Sequence, residues 1–169
     1  NISTSLKLWD NALADYNSIL SRDPEATEAY LGRGYLYQQM EDYSNALLDY
    51  SSALAFNPDD YVLYCYRSMC NLRIKSFEDA LSEAEKAIEL AEFPECFYCR
   101  ALANAALGNH DKAILDIKTT LDLDTENVLD LEKHFLKEEG FKSLKSSPRY
   151  KGLLEKHFWI EIPDLTTYS

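Results

Sequence analysis

The sequence predicts an all-α fold: an array of antiparallel helix pairs, closed at its C-terminal end by capping helices. Two observations carry that prediction. A short pattern recurs four times with alanines at positions 12, 46, 80 and 113, spaced 34, 34 and 33 residues apart, and self-similarity at such a period marks stacked supersecondary units. No stretch alternates apolar and polar residues with the period of two that a strand needs.

The pattern itself sits where a turn enters an apolar run. Asp10-Asn11-Ala12-Leu13-Ala14-Asp15-Tyr16 matches Ser44-Asn45-Ala46-Leu47-Leu48-Asp49-Tyr50, then Glu78-Asp79-Ala80-Leu81-Ser82-Glu83-Ala84 and Asp111-Lys112-Ala113-Ile114-Leu115-Asp116-Ile117. Residues 1–26 supply only the second helix of a pair, with Ala12, Tyr16, Ile19 and Pro24, so its apolar side at Trp9, Leu13 and Tyr16 is expected to want cover. Residues 27–60 hold a helix at 29–40, a turn at Glu41-Asp42-Tyr43 and a helix at 44–55. Units 61–93 and 94–127 repeat that plan: Tyr30-Leu31-Gly32-Arg33-Gly34 aligns with Tyr64-Cys65-Tyr66-Arg67-Ser68 and with Phe97-Tyr98-Cys99-Arg100-Ala101. Pro24 and Pro58 close units because proline cannot continue a helix, and Pro94 suits a first helical turn, where its missing N–H costs nothing.

After 127 the pattern changes. Residues 128–158 read as capping helices, one at 128–139 ended by Gly140 and one at roughly 148–157 opened by Pro148. They mix Leu131, Phe135, Leu144, Leu153 and Leu154 with Lys and Glu, as the polar-faced cap of a repeat array requires. The tail 159–169 follows, and the apolar stretch 158–163 is expected to fold back on the array. The chain lacks an initiator Met and reads as a piece of something longer.

These residues resemble the tetratricopeptide repeat (TPR) family, whose 34-residue unit sets aromatics, small residues and a proline at fixed offsets. In 27–60 the offsets are filled by Tyr30, Gly34, Tyr37, Ala46, Tyr50, Ala53 and Pro58. In 61–93 they are Tyr64, Ser68, Ala80, Ala84 and Ala87, and in 94–127 Phe97, Ala101, Ala113 and Ile117. The resemblance implies three full repeats plus a partial one, wound into a right-handed superhelix. It also implies that the first helix of each unit lines a concave groove for peptide segments of partner proteins. The residues it assigns there include Leu31, Tyr35, Gln38, Gln39, Tyr66, Met69, Arg73, Tyr98 and Leu102. That lining suits an apolar or aromatic segment or an amphipathic helix. It does not suit the carboxylate clamp of TPR co-chaperones, which needs Lys, Asn and Arg where this chain has Leu31, Tyr35, Tyr66, Glu95 and Cys99.

Charge narrows the partners further. The net charge is −12, with 10 Lys/Arg against 24 Asp/Glu over residues 1–132 and 7 against 3 over 133–158. An acidic body repels phosphate backbones, which argues against nucleic acid. The basic stretch reads as a solvated helix face. No apolar run approaches the roughly 20 residues of a membrane helix, so membrane insertion is not expected. Nothing in the sequence indicates secretion, and the four cysteines are expected as reduced thiols of a cytoplasmic protein.

The pair Cys96 and Cys99 in Pro94-Glu95-Cys96-Phe97-Tyr98-Cys99-Arg100 is read as helical, not as the turn of a zinc ribbon. Cys65 is placed on the groove side with Cys99 close to it and Cys70 towards the core, and the Cys96/Cys99 pair reads as small buried or groove-lining residues. No metal or cofactor is expected. There is no Gly-rich phosphate loop, nucleophile elbow or H-E-x-x-H, and His110, His134 and His157 are scattered, so the chain does not read as an enzyme.

One further recurrence stands out: Arg33, Arg67 and Arg100 at one offset, Asp15, Asp49, Glu83 and Asp116 at another. We expect Arg–carboxylate pairs that fix the register of neighbouring helices. Two functions remain open: an adaptor binding a partner segment in the groove, or an assembly scaffold that self-associates or docks a larger subunit through residues 1–26 and its end faces.

Overall fold

The computed structural model describes residues 2–124 and 139–158, with side chains from 8–124 and 140–157. The elements are α1 (Ile2–Arg22), α2 (Thr27–Gln39), α3 (Tyr43–Phe56), α4 (Tyr61–Arg73), α5 (Phe77–Leu90), α6 (Pro94–Ala106), α7 (His110–Leu123), a 3-10 segment (Glu139–Leu144) and α8 (Pro148–Phe158), with no strand among the described residues. The last helix begins at Pro148 as expected. The helix expected at 128–139 lies outside the described residues except for Glu139, which opens the 3-10 segment instead. The tail 159–169 lies outside them altogether. At the other end, α1 runs unbroken for 21 residues, against 14 in each of α3, α5 and α7.

The helices stack as antiparallel pairs, α2 with α3, α4 with α5 and α6 with α7, while α1 leans on α2 and α4 on α6. The chain is an α-solenoid of stacked helix pairs. The turn inside each pair has one geometry. Glu41, Lys75 and Gly108 take positive φ of 60°, 65° and 77°. The next amide donates back to a carbonyl of the preceding helix: Asp42 to Tyr37, Ser76 to Asn71 and Asn109 to Asn104, at 2.8–2.9 Å. This left-handed stop satisfies helix-end carbonyls that would otherwise be orphaned. Asp42 and Asp60 then cap the helices that follow, accepting from the amides of Asn45 and Val62.

Small residues set how closely the pairs approach. A Cβ at Gly34 would come within 2.7 Å of the Tyr50 ring, and one at Gly32 within 2.5 Å of the Tyr16 hydroxyl on α1. In the second repeat Ser68 stands at the offset of Gly34; it is fully buried, and its hydroxyl donates to the carbonyl of Ala80 at 2.8 Å. A serine is tolerated there because its polar atom is satisfied.

The expected arginine pairs form within each repeat, sixteen residues apart. Arg33 reaches Asp49 through Nε and Nη2 at 2.8 and 2.6 Å, and Arg100 reaches Asp116 likewise at 3.0 and 2.6 Å. Arg67 reaches Glu83 through Nη2 alone, at 2.7 Å. Asp15 is exposed, and no arginine among the described residues pairs with it. Arg33 instead extends its rung to α1, donating to Asn17 Oδ1 at 2.5 Å.

The C-terminal segment closes the stack. Phe141, Leu144, Tyr150 and Leu154 are fully buried against Ala101, Ile117 and Leu121 of the third repeat. Leu144, Leu153 and Leu154 thus serve the cap as expected, while Leu131 and Phe135 lie outside the described residues.

Candidate functional site

The first helices α2, α4 and α6 carry the residues assigned to the groove, and the structure sorts them into three groups. Tyr35 is open, at 48% exposure, and meets Tyr66 edge to face with ring centroids 6.1 Å apart. Tyr66 is half-buried and stacks on the core residue Tyr50 at 5.3 Å. Aromatic pairs at these separations hold each other's orientation, so Tyr35 and Tyr66 form a surface whose shape is set from beneath. Leu31, half-buried, packs on the same core cluster.

Gln38 was assigned to the groove lining, and the structure turns it inward. Its Oε1 accepts from the Tyr50 hydroxyl at 2.9 Å and from the Cys70 thiol at 3.6 Å. Through this oxygen it positions the aromatic platform. Gln39 stays exposed beside it.

The far end of the face differs. Leu102 is only 3% exposed, in the cluster that includes Phe141 and Leu144, and Tyr98 meets Phe141 edge to face at 5.8 Å. The 3-10 segment lies over α6 where a further repeat would otherwise continue. Its Ser143 hydroxyl reaches the carbonyl of Ala105 at 3.4 Å. Between this segment and α4 a cavity of about 540 Å3 remains, with Met69 and Leu72 on one wall, Leu102 and Ala106 on another, and Arg73 and Lys142 as its charged lining. Met69 and Arg73 were both expected at the groove; the cavity that joins them was not, because its third wall comes from residues outside the repeat pattern.

Of the two readings of the Cys96/Cys99 pair, buried or groove-lining, the structure has the buried one, and Cys65, which was placed on the groove side, is buried with them. The three sit between α4 and α6, with Cys65 Sγ 3.8 Å from Cys96 Sγ and Cys99 Sγ 3.9 Å from the carbonyl of Cys65. Cys70 lies in the core as expected. Burial pushes the Cys70 thiol up to about 12, and the hydrogen bond with Cys65, together with burial, raises Cys96. Both thiols therefore hold their protons at neutral pH. Among the described residues no three His, Cys, Asp or Glu side chains converge as a metal site, and no helix is long and apolar enough to cross a membrane.

Residues 27–60 match the family described as Tetratricopeptide repeat. No curated protein matches the chain in sequence. Among solved structures, the crystal structure of MamA is 18% identical, covers 92% of this chain and 90% of that one, and superposes with a TM-score of 0.73. YrrB, described as a TPR protein with an unusual peptide-binding site, is 22% identical over 99% of this chain and 86% of that one, with a TM-score of 0.68. The first TPR domain of Spaghetti (RPAP3), bound to the HSP90 peptide SRMEEVD, is 23% identical over 66% of this chain and 89% of that one, at a TM-score of 0.59. At these identities the likeness establishes the fold.

Proposed function

We propose that this chain, a solenoid carrying a tetratricopeptide repeat at 27–60, is a protein-interaction module that takes an apolar or aromatic peptide segment, or an amphipathic helix, of another protein along α2, α4 and α6. The observation that carries this reading is the Tyr35–Tyr66–Tyr50 series. It leaves Tyr35 the most exposed aromatic side chain of the assigned set and backs it from the core, where Gln38 holds Tyr50. Aromatic side chains so held give contact area at little entropic cost and dominate peptide-binding surfaces. The likeness to two TPR structures recorded with a peptide or a peptide-binding site supports the same reading. The test is affinity capture with the full chain and with Tyr35→Ala. A partner that binds the first and is lost at least tenfold by the second supports groove binding; a partner retained by the variant sinks it.

A second reading rests on α1, where Leu8 is 63% exposed, Ile19 is exposed and Trp9, Leu13 and Tyr16 are half-buried. An apolar helix face of this kind suits self-association or docking of a larger subunit. Sedimentation equilibrium distinguishes it: Leu8→Glu with Ile19→Glu is expected to leave only monomer, whereas Tyr35→Ala leaves the oligomer intact.

A further inference from the structure

The cavity between α4, α6 and the 3-10 segment is a separate recognition element from the tyrosine platform. Its volume, about 540 Å3, lies within the roughly 300–1,000 Å3 of small-ligand pockets. Most of its described lining is apolar. Met69 is an adaptable wall, able to re-pack around different shapes, and Ala106 keeps the space open by being small. Arg73 and Lys142 are the two charged residues of the described lining, and both are cations and exposed.

That sign is against the grain of the chain. The net charge is −12, and residues 1–132 are the source of the excess acid. A basic ligand would be drawn to almost any other part of this body, so a cation such as Arg73 beside an apolar cavity selects for one kind of occupant. We infer that the cavity takes one large apolar or aromatic side chain of a partner peptide, directly flanked by a carboxylate that pairs with Arg73. The inference rests on the interaction-module reading and adds to it the anchor, the charge of its neighbours and a third wall from the C-terminal segment. It differs from a carboxylate clamp in its energetic source. The apolar side chain supplies the affinity, and Arg73 chooses which apolar segment enters.

The test uses the full chain and random 12-residue peptides displayed on phage. Enriched sequences are expected to share Phe, Trp or Leu with Asp or Glu within two positions. A synthetic peptide of the leading sequence, followed by fluorescence anisotropy, is expected to lose at least tenfold in affinity to Ala106→Trp, which fills the cavity. It should lose a similar factor to Arg73→Glu, and selection on Arg73→Glu should enrich Lys or Arg in place of the acids. Both positions are exposed, and unchanged circular dichroism confirms that each variant folds. Peptides that bind equally to both variants but are lost by Tyr35→Ala would overturn this inference and leave the groove reading standing. Failure to enrich any peptide would overturn both.

Discussion

The first and third repeats tie their helices together differently from the second. Arg33–Asp49 and Arg100–Asp116 are two-armed contacts in which Nε and Nη2 each meet one carboxylate oxygen. The second repeat has Glu83 where the others have aspartate, and Arg67 meets it with one arm. Arg67 Nε is left buried with no hydrogen-bond partner among the described residues. One methylene separates the two arrangements: the longer side chain carries its carboxylate past the point where both oxygens face the guanidinium fork. A bidentate pair adds geometric specificity to charge, whereas a buried orphan donor costs about 1–3 kcal/mol. The weak rung lies under α4, the helix that presents Tyr66, Met69 and Arg73 to the candidate site. The repeat nearest the proposed chemistry is thus the one whose helix pair is least firmly pinned.

The largest expected effect comes from cutting a strong rung. Asp116 is 3% exposed, and in Arg100→Ala its carboxylate would keep only the Asn104 amide at 3.2 Å. Removing one partner of a buried pair destabilises by about 3 kcal/mol or more, which urea unfolding would read directly. Arg67→Ala removes one contact and also the orphan Nε, so a loss of about 1 kcal/mol is expected. Double-mutant cycles sharpen the comparison: a coupling of about 2 kcal/mol is expected for Arg33 with Asp49, and less than half that for Arg67 with Glu83. Equal couplings in the two repeats would show that the second arm contributes nothing.

A smaller effect runs the other way. Glu83→Asp brings the second repeat into line with its neighbours and gives Arg67 Nε an acceptor. A gain of about 1 kcal/mol is expected, a rise of roughly 2–4 °C in melting temperature for a chain of this size. A variant that melts lower than the parent would mean that α4 and α5 are spaced for the longer side chain, and that the orphan donor is the lesser of two strains.

The rungs show what sequence could and could not reveal. Arg33, Arg67 and Arg100 recur in step with the carboxylates, so the pairing was legible from spacing alone; that one rung of the three has a single arm required distances. The turn at 41–43 was legible as well, but the left-handed geometry of the turns was not. Glu41 and Lys75 occupy left-handed positions without glycine, and only Gly108 carries the usual mark of such a stop. Leu102 shares its repeat offset with Tyr35, which is open, and with Met69, which is half-buried. Leu102 is buried because the 3-10 segment covers α6, and that segment follows no repeat. Gln38 was assigned to the groove from its repeat offset. Its inward turn depends on a tyrosine hydroxyl twelve residues on, a contact no periodicity announces.

The pH dependence of the middle rung gives the finest test of the comparison. Burial raises the Glu83 carboxyl above its ordinary 4.5, and the nearby Arg67 only partly offsets this. The folded chain therefore binds a proton at Glu83 at higher pH than the unfolded chain does. Stability from this group is fully present below 4.5 and is lost as pH rises through the folded value. In Glu83→Asp the sign reverses: a carboxylate held by both Nε and Nη2 favours its charged form, so the variant loses stability as pH falls. Its advantage over the parent should be greatest at pH 7 and should shrink steadily toward pH 4.5. Urea midpoints of both proteins at pH 7, 6 and 5 measure the difference. A gap that stays constant would show that Glu83 gains no second contact on shortening, and the contrast between one-armed and two-armed rungs would then not be set by the length of the acid.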